Sequence, residues 1–232
     1  MNTNTVENKR LRTVRSFVTR KGRMTRAQSS SLQELWLEYG ISCKPDELVD
    51  LEAIFQRKAP TVLEIGFGNG KTLLHMARQH PTMNFIGIEV YQSGITQLLA
   101  DIHKESLTNI RIFMGDAVEI LRNNIPNSSL NILQLFFPDP WPKARHHKRR
   151  IIQPNFVSLV SDKLLAKGVL HVATDWENYA MHILEVMYNQ QEFIKLDNAI
   201  SYGQILERIV TKFEQRGCQL GYKIYDFAFR RI

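Results

Sequence analysis

The chain has few cysteines, no long apolar run and no grouping of the residues that usually hold zinc. Its two cysteines, Cys43 and Cys218, lie far apart and no signal peptide precedes them, which favours reduced thiols and a cytoplasmic location. No apolar stretch reaches the roughly 18 residues of a membrane helix, so no membrane association is predicted. Cysteine and histidine show no paired zinc-site spacing, so no metal is predicted either.

Acidic residues are almost absent from the first 26 residues. This segment has eight lysines and arginines but one acidic residue, Glu7, whereas the two charges balance over the rest of the chain. The whole formal net charge of +7 therefore lies here. We predict that residues 1–26 form a flexible basic arm for a polyanionic partner, because each neutralised phosphate releases counterions. On composition alone, a solvated tail and an organellar transit peptide remain alternatives.

Beyond the arm, short apolar stretches alternate with amphipathic ones. This alternation favours a parallel sheet with helices on both faces, so residues 27–232 are predicted to form one α/β domain. The last strand is predicted to run antiparallel at the sheet edge. The expected strands are 61–65, 85–89, 110–114, 130–137, 168–174 and 223–229, and the expected helices are 27–39, 45–55, 71–79, 93–105, 117–123, 156–165, 177–190 and 202–216.

A glycine-rich loop leaves the first expected strand and enters a helix. Gly66, Gly68 and Gly70 let the backbone turn tightly and approach a ligand, beside the free N–H groups of a helix start. A dinucleotide loop would need a third glycine at Lys71, and a phosphate loop would need its first glycine at Ile65. The remaining Glu-x-Gly-x-Gly-x-Gly pattern resembles the first motif of Rossmann-like methyltransferases.

Three carboxylates accompany this loop. Glu89 ends the second strand, where an acid can accept hydrogen bonds from both ribose hydroxyls of an adenosine. Asp116 follows the third strand and could accept the adenine amino hydrogens. Glu64 would lie near the cationic methionine end of S-adenosylmethionine, because carboxylates attract a sulfonium and repel a triphosphate.

The fourth strand is followed by a proline-rich loop and then by a run of basic residues. Three prolines within 138–142 restrict the backbone around Asp139, and such stiffness can hold a side chain in fixed geometry. Lys143 and the segment 145–150, which we call the basic block, put positive charge directly beside this loop. Phosphates could dock there while a base enters the site.

Four segments are similar to bacterial tRNA (guanine-N7-)-methyltransferases: residues 15–20 with 22–25, residues 64–70, residues 137–150, and residues 211–214 with 216–217; Thr174-Asp175 is a weaker fifth. The resemblance implies a Rossmann-like class I methyltransferase fold: a mostly parallel seven-stranded sheet with helices on both faces and an antiparallel edge strand. It implies S-adenosylmethionine as methyl donor, tRNA as partner and transfer to N7 of the variable-loop guanine, conventional tRNA position 46. Because the N-terminal segment belongs to the family's own plan, a transit peptide is not expected.

The resemblance also implies roles for individual residues. Asp139 would be catalytic and would contact the cofactor, together with Glu64, Gly66, Gly68, Gly70, Glu89 and Asp116. The implied guanosine-binding residues are Lys143, Asp175, Thr211, Lys212, Phe213 and Glu214. The implied RNA-binding residues are Arg145, His146, His147, Lys148, Arg149 and Arg150.

Guanine N7 carries a lone pair and needs no deprotonation, so catalysis would consist mainly of placement. Asp139 would stabilise the positive charge that develops on the ring, or accept from the guanine N1–H and amino group. Trp141 would stack on the base or pack within the loop. Two other functions stay open: a nucleotide hydrolase using Gly70-Lys71-Thr72 and Asp139, and a non-catalytic RNA-binding protein. No obligate protein partner is indicated.

Overall fold

The computed structural model of the protein describes residues 16–17, 25–196, 210, 212–219 and 221–232. These residues form seven strands, eight α-helices and one short 3-10 helix. The strands are β1 (Thr61–Ile65), β2 (Asn84–Glu89), β3 (Ile110–Met114), β4 (Leu130–Phe136), β5 (Leu164–Thr174), β6 (Phe193–Lys195) and β7 (Tyr225–Arg231). The α-helices are α1 (Arg26–Tyr39), α2 (Leu51–Phe55), α3 (Lys71–Gln79), α4 (Gln92–Lys104), α5 (Ala117–Asn123), α6 (Pro154–Lys163), α7 (Glu177–Tyr188) and α8 (Lys212–Gln219); the 3-10 helix is Ala144–Arg149.

The central strands are apolar because helices cover both of their faces. Every residue of β1 and β2 is buried, as is usual for parallel strands enclosed on two sides. On one face, α1, α3 and α4 contribute apolar side chains such as Leu73 and Leu98 to a core. On the other face, α5, α6 and α7 contribute side chains such as Leu121 and Ile183 to a second core. The sheet therefore separates two hydrophobic layers.

The strand order in the sheet is β3-β2-β1-β4-β5-β7-β6. Strands β1 to β5 pair in parallel, and β7 runs antiparallel to both of its neighbours. The chain moves outward from β1 to β3 and then returns to β4, so the order reverses between β1 and β4. Ligands of open α/β sheets bind outside the carboxyl ends of the strands at such a switch point. The mostly parallel seven-stranded sheet is confirmed.

Several elements differ from the expectation. Helix α2 begins at Leu51, where the Asp50 side chain accepts a hydrogen bond from the Ala53 N–H, and not at Pro45. The short strand β6 was not expected at all. Because β6 pairs with β7, the antiparallel strand β7 lies inside the sheet and β6 forms the edge. Most of the predicted helix 202–216 lies outside the described residues, and its described end belongs to α8.

Candidate active site

A cavity of about 260 Å³ opens at the carboxyl ends of β1, β2 and β4. It therefore lies at the switch point of the sheet. It brings together groups from segments that are distant in the sequence: Gly66 and Gly68 from the glycine loop, Glu89 from the end of β2, and Asp139 from the proline loop. Ser16 and Phe17 of the predicted basic arm also line it. Apart from these two residues and the start of α1, the arm lies outside the described residues, so its flexibility stays a prediction.

The three glycines of the loop have two different tasks. All of them have left-handed backbone, with φ of 72° at Gly66, 60° at Gly68 and 74° at Gly70, which residues with a side chain adopt reluctantly. A Cβ added at Gly66 or Gly68 would meet no atom within 4 Å, whereas one at Gly70 would lie 2.6 Å from the Leu98 side chain. The first two glycines thus leave the backbone open to a ligand, while Gly70 allows close packing on α4.

Glu89 ties the glycine loop to the end of β2. One carboxylate oxygen accepts the Gly68 N–H at 2.8 Å, and the other accepts the N–H groups of Val90 at 2.6 Å and Tyr91 at 3.0 Å. A carboxylate has about four acceptor positions, so about one remains for a ligand in the cavity. Glu89 is thus first an organiser of the loop, a role that its position in the sequence did not reveal.

Glu64 lies on β1, one residue before Ile65 of the cavity wall, and is only 3% exposed. Its Oε2 atom has no hydrogen-bond partner among the described residues, and neither has Oε1 of Gln134, its register partner on β4. Burial, and then the charge of Glu89, raise the pKa of Glu64 from 4.5 to about 8. An unpaired buried acceptor is costly, so a carboxylate in this position fits a cationic ligand such as a sulfonium.

Asp116 occupies the start of α5. Its Oδ1 atom accepts the Val118 N–H at 2.9 Å and so caps the helix. In the described part of the chain, its other oxygen makes no hydrogen bond. Gly115 and Ala117, on either side of it, line the cavity. The residue therefore has an acceptor atom beside the cavity, as the expected adenine contact requires.

The proline loop after β4 is held in an unusual conformation. Phe137 and Trp141, which flank the segment with Asp139, have φ of 50° and 46°. Left-handed backbone at residues with side chains costs of order 1–3 kcal/mol each and persists only where the surroundings enforce it. One such restraint is the Phe137 N–H, which donates to the Ala173 carbonyl at 2.8 Å. Asp139 itself is exposed and lines the cavity.

Trp141 packs within the protein in this structure. Its indole N–H donates to the Ser16 carbonyl at 3.2 Å, and the Arg149 guanidinium lies 3.8 Å from its ring centroid. His146 meets the same indole edge-on, with ring centroids 5.9 Å apart. Of the two roles considered for Trp141, packing of the loop is thus the one that the structure contains, and it extends to the N-terminal segment.

The basic block is partly exposed and partly buried. Arg145 and Lys148 are exposed, as is Lys143, which precedes the 3-10 helix, whereas His146, His147 and Arg149 are half-buried. Burial and then the neighbouring cations, Arg145 foremost, lower the pKa of His146. At neutral pH His146 therefore adds less positive charge to the surface offered to a partner than the lysines and arginines do.

Arg150 differs from the expected RNA contact. It is 2% exposed, and its Nε donates to the Pro140 carbonyl at 2.9 Å while Nη2 donates to Oδ1 of Asn178 at 2.6 Å. A guanidinium that is enclosed in this way cannot reach a phosphate at the surface. The sequence showed a run of charge, but it did not show that the last member of the run turns inward.

The expected guanosine-binding residues are only partly described. Asp175 follows β5 and is half-buried, and a Cβ added at Gly217 of α8 would lie 3.2 Å from its Oδ2. Helix α8 thus packs closely on Asp175. The half-buried Glu214 lies on the same helix, three residues before Gly217. Thr211, and the side chains of Lys212 and Phe213, lie outside the described residues.

Comparison with known proteins decides the family. A family model described as "Putative methyltransferase" matches residues 58–227. The tRNA (guanine-N(7)-)-methyltransferase of Aeromonas hydrophila is 50% identical over 230 residues, which cover 97% of this chain and 95% of that protein. The enzyme of the same name from Psychromonas ingrahamii is 49% identical over 233 residues, covering 100% of this chain and 95% of that protein. The chain belongs to the tRNA (guanine-N(7)-)-methyltransferase family.

This member of the tRNA (guanine-N(7)-)-methyltransferase family shares its fold with solved methyltransferases. The crystal structure of the aminoglycoside resistance methyltransferase NpmB1 aligns with a TM-score of 0.54 at 13% identity, covering 80% of this chain and 95% of that one. The Rossmann-like class I methyltransferase fold is thereby confirmed. No helix in the described segments is long and apolar enough to cross a membrane. Nor do the described residues group three or more histidine, cysteine, aspartate or glutamate side chains as a metal site.

Glu64 makes the stability of the ligand-free protein dependent on pH. A carboxyl group with a pKa of about 8 in the folded protein and 4.5 in the unfolded chain binds its proton more tightly when the protein is folded. Between these values the unfolded state holds fewer protons, so the free energy of unfolding falls as pH rises, by at most about 1.4 kcal/mol per pH unit. Glu64→Gln should remove this dependence and leave the protein relatively more stable at pH 8.

The measurement is urea unfolding at several pH values between 5 and 8. The exposed Glu192 provides a matched control, because Glu192→Gln changes the same group without burial. The difference between the Glu64→Gln and parent curves should grow with pH, and the difference for the control should stay constant. Parallel curves for all three proteins would show that Glu64 is ionised in the folded state.

Proposed function

We propose that the protein transfers a methyl group from S-adenosylmethionine to N7 of the guanine at tRNA position 46, in the cytoplasm. The observation that carries the proposal is the coincidence of two independent features. The chain is about half identical, over nearly its full length, to enzymes that are named for this reaction. The cavity at the switch point joins Glu89, which holds the glycine loop, with Asp139 on a restrained loop.

The residues around the cavity fit the proposed methyl donor. Glu64 would face the cationic methionine end, Glu89 would accept from a ribose hydroxyl, and Asp116 would accept from the adenine amino group. The open backbone at Gly66 and Gly68 would allow close approach of the ligand. When bound, S-adenosylmethionine supplies an electrophilic methyl group on a sulfonium. The buried carboxylates therefore favour the charged donor over its neutral product.

The chain's own part in the reaction is mainly placement and charge. Guanine N7 attacks with its own lone pair, so no side chain has to remove a proton first. The ring becomes positively charged as the new bond forms, and the Asp139 carboxylate would stabilise this charge or accept from the guanine N1–H and amino group. Both roles require that the carboxylate be held in position, which the restrained loop supports. Asp175 and the segment 211–214 would hold the rest of the nucleoside.

The RNA would dock beside this site through its phosphates. Lys143, Arg145 and Lys148 are exposed next to the proline loop, and Arg149 is half-buried. The basic arm would add further phosphate contacts. N7 lies on the major-groove edge, which is narrow and deep in A-form RNA, so the guanine must leave its tertiary contacts to react. Contacts to phosphates would offset that cost.

A nucleotide hydrolase is less well supported. The threonine of its phosphate-binding loop would have to reach a magnesium ion, but Thr72 is 6% exposed, at the start of α3. The carboxylates of Glu64 and Glu89 near the loop would repel a triphosphate. A non-catalytic RNA-binding protein would have no need for these buried acids, whose burial without a ligand lowers stability.

The test is methyl transfer to unmodified tRNA. Protein, methyl-labelled S-adenosylmethionine and tRNA are incubated, and the RNA is digested to nucleosides. We expect label only in N7-methylguanosine, and none when guanine 46 is replaced by adenine. Label in another nucleoside would refute the proposed target. Binding of S-adenosylmethionine without transfer would point to another acceptor, and binding of RNA without cofactor would favour a non-catalytic protein.

Substitution of Asp139 separates its two proposed roles. Asp139→Ala should lower the single-turnover rate by about 10²-fold, the effect of losing one electrostatic group. Asp139→Asn loses the charge but keeps one of the two acceptor oxygens, so it should lose nearly the full effect if charge matters and only part of it if the hydrogen bonds to guanine matter. Cofactor affinity is measured separately by calorimetry. Asp162→Asn, an exposed carboxylate on α6, is the control and should leave the rate unchanged. A near-normal rate for Asp139→Ala would exclude both roles.

A further inference from the structure

Arg150 is a buried cation at the end of an otherwise surface-facing basic block. Its guanidinium forms two hydrogen bonds to uncharged oxygens, on Pro140 and on Asn178, and lies 4.9 Å from the ring centroid of Tyr179. Among the described residues it forms no salt bridge. Burying a charged group without an ionic partner is expensive, so a contact that only added stability would be made more cheaply by an apolar side chain. We therefore attribute the arginine at this position to its planar guanidinium, which can donate to two separate oxygens at once.

The Pro140 carbonyl belongs to the residue directly after Asp139. Prolines at 138, 140 and 142 have no N–H, so the loop has few donors of its own with which to fix itself. Its conformation therefore depends on groups supplied from outside it. Arg150 supplies one of them, to the carbonyl of the residue that follows the carboxylate needed by the proposed reaction.

Helix α7 anchors Arg150 and the residues that follow it. Asn178 and Tyr179 contact the guanidinium, and the Tyr179 hydroxyl also accepts the Ile152 N–H at 3.3 Å. His182, one turn further along, lies with Nε2 at 2.8 Å from the Ile152 carbonyl oxygen. Three residues on one face of α7 thus hold the segment 150–152. The same helix begins just after Asp175, so it connects the proline loop to the expected nucleoside-binding side.

We propose that Arg150 is a positioning residue: held by Asn178, it fixes the Pro140 carbonyl and thereby the place of the Asp139 carboxylate at the cavity. It does not bind RNA. This inference rests on the proposed methyl transfer, since the carboxylate is positioned for that reaction. A displacement of about 1 Å at a reacting group can cost about 10²-fold in rate, so a link of this kind can govern catalysis without touching substrate.

The test compares Arg150→Lys and Asn178→Ala with the parent protein. Lysine keeps the charge but lacks the planar guanidinium whose separate Nε and Nη2 donors meet Pro140 and Asn178. Asn178 is exposed, so its truncation spares the core. Single-turnover rates at saturating tRNA and cofactor should fall by about 10- to 100-fold. The Kd for tRNA and its dependence on salt should stay within twofold of the parent. Asn178→Asp, which keeps the acceptor, should restore the rate.

Two controls separate positioning from RNA contact and from general damage. Arg145→Ala with Lys148→Ala should reduce the slope of log Kd against log salt by about 0.7–0.9 for each lost phosphate contact. Met181→Ala changes a 61% exposed side chain on α7, about one turn from Asn178, and should alter nothing. The double variant Arg150→Lys with Asn178→Ala should be no slower than Arg150→Lys alone, because both changes break one link.

A readout that needs no RNA keeps the inference testable if methyl transfer fails. The chain has three tryptophans, so 5-fluorotryptophan labelling gives three ¹⁹F resonances, which Trp→Phe substitutions assign. Arg150→Lys and Asn178→Ala should shift or broaden the Trp141 resonance and leave that of Trp36 in place. Absence of transfer by the parent protein would refute the proposed function. An unperturbed Trp141, an unchanged rate, or a reduced salt slope with an intact rate would each overturn the positioning role of Arg150.

Discussion

A loop with three prolines in five residues cannot hold itself in place, and the active site is built around this limitation. Proline removes the N–H donors that would close a turn, while its ring removes most of the alternative conformations. The loop after β4 is therefore stiff but poor in internal hydrogen bonds. Its conformation, with left-handed backbone at Phe137 and Trp141, is enforced by β5 through Ala173, by Arg150, and by the N-terminal segment through Ser16. These contacts with distant segments therefore determine the position of Asp139.

On the cofactor side of the cavity, the important constraint is the charge of two neighbouring buried acids. Glu64 and Glu89 lie close enough for the charge of one to raise the pKa of the other, and both are almost fully buried. Glu89 is satisfied by three backbone N–H groups, whereas one oxygen of Glu64 has no hydrogen-bond partner within the described part of the chain. Such a pair is stable without ligand only if one carboxyl keeps its proton. A cationic ligand would remove that requirement, which supports the proposed charged donor.

Local sequence patterns predicted the layered fold because each central strand is a short apolar run followed by a turn and a helix. These patterns gave a wrong prediction where an element was too short to show a pattern, or where a turn had the residues of a helix start. Strand β6 has three residues, of which only Phe193 is buried, and Pro45-Asp46 looks like a helix start although Asp50 is the cap. Glu89 and Asp139, the two acids that line the cavity, could be singled out because one ends a strand and the other follows one.

Contacts between distant segments could not be predicted from local patterns. Nothing in the neighbouring residues distinguishes the buried Arg150 from the half-buried Arg149, since burial depends on Asn178 and Tyr179, 28 and 29 positions further on. The same holds for the contact between Trp141 and Ser16, which are 125 residues apart. Ser16 and Phe17 do lie in a segment that resembles the family. That resemblance is the only feature of the sequence that indicates that these two residues are near the site.

The proline loop is expected to have its catalytic conformation before RNA arrives, because the contacts that restrain it lie within the protein. Crystal structures of the protein with cofactor alone, and with cofactor and tRNA, test it most directly. We predict that the backbone of residues 137–143 superimposes within about 1 Å between the two, with the Arg150 bridge to Pro140 and Asn178 present in both, as in pre-organised complexes. A loop shift of more than about 2 Å on RNA binding, or a bridge that forms only with RNA, would contradict it.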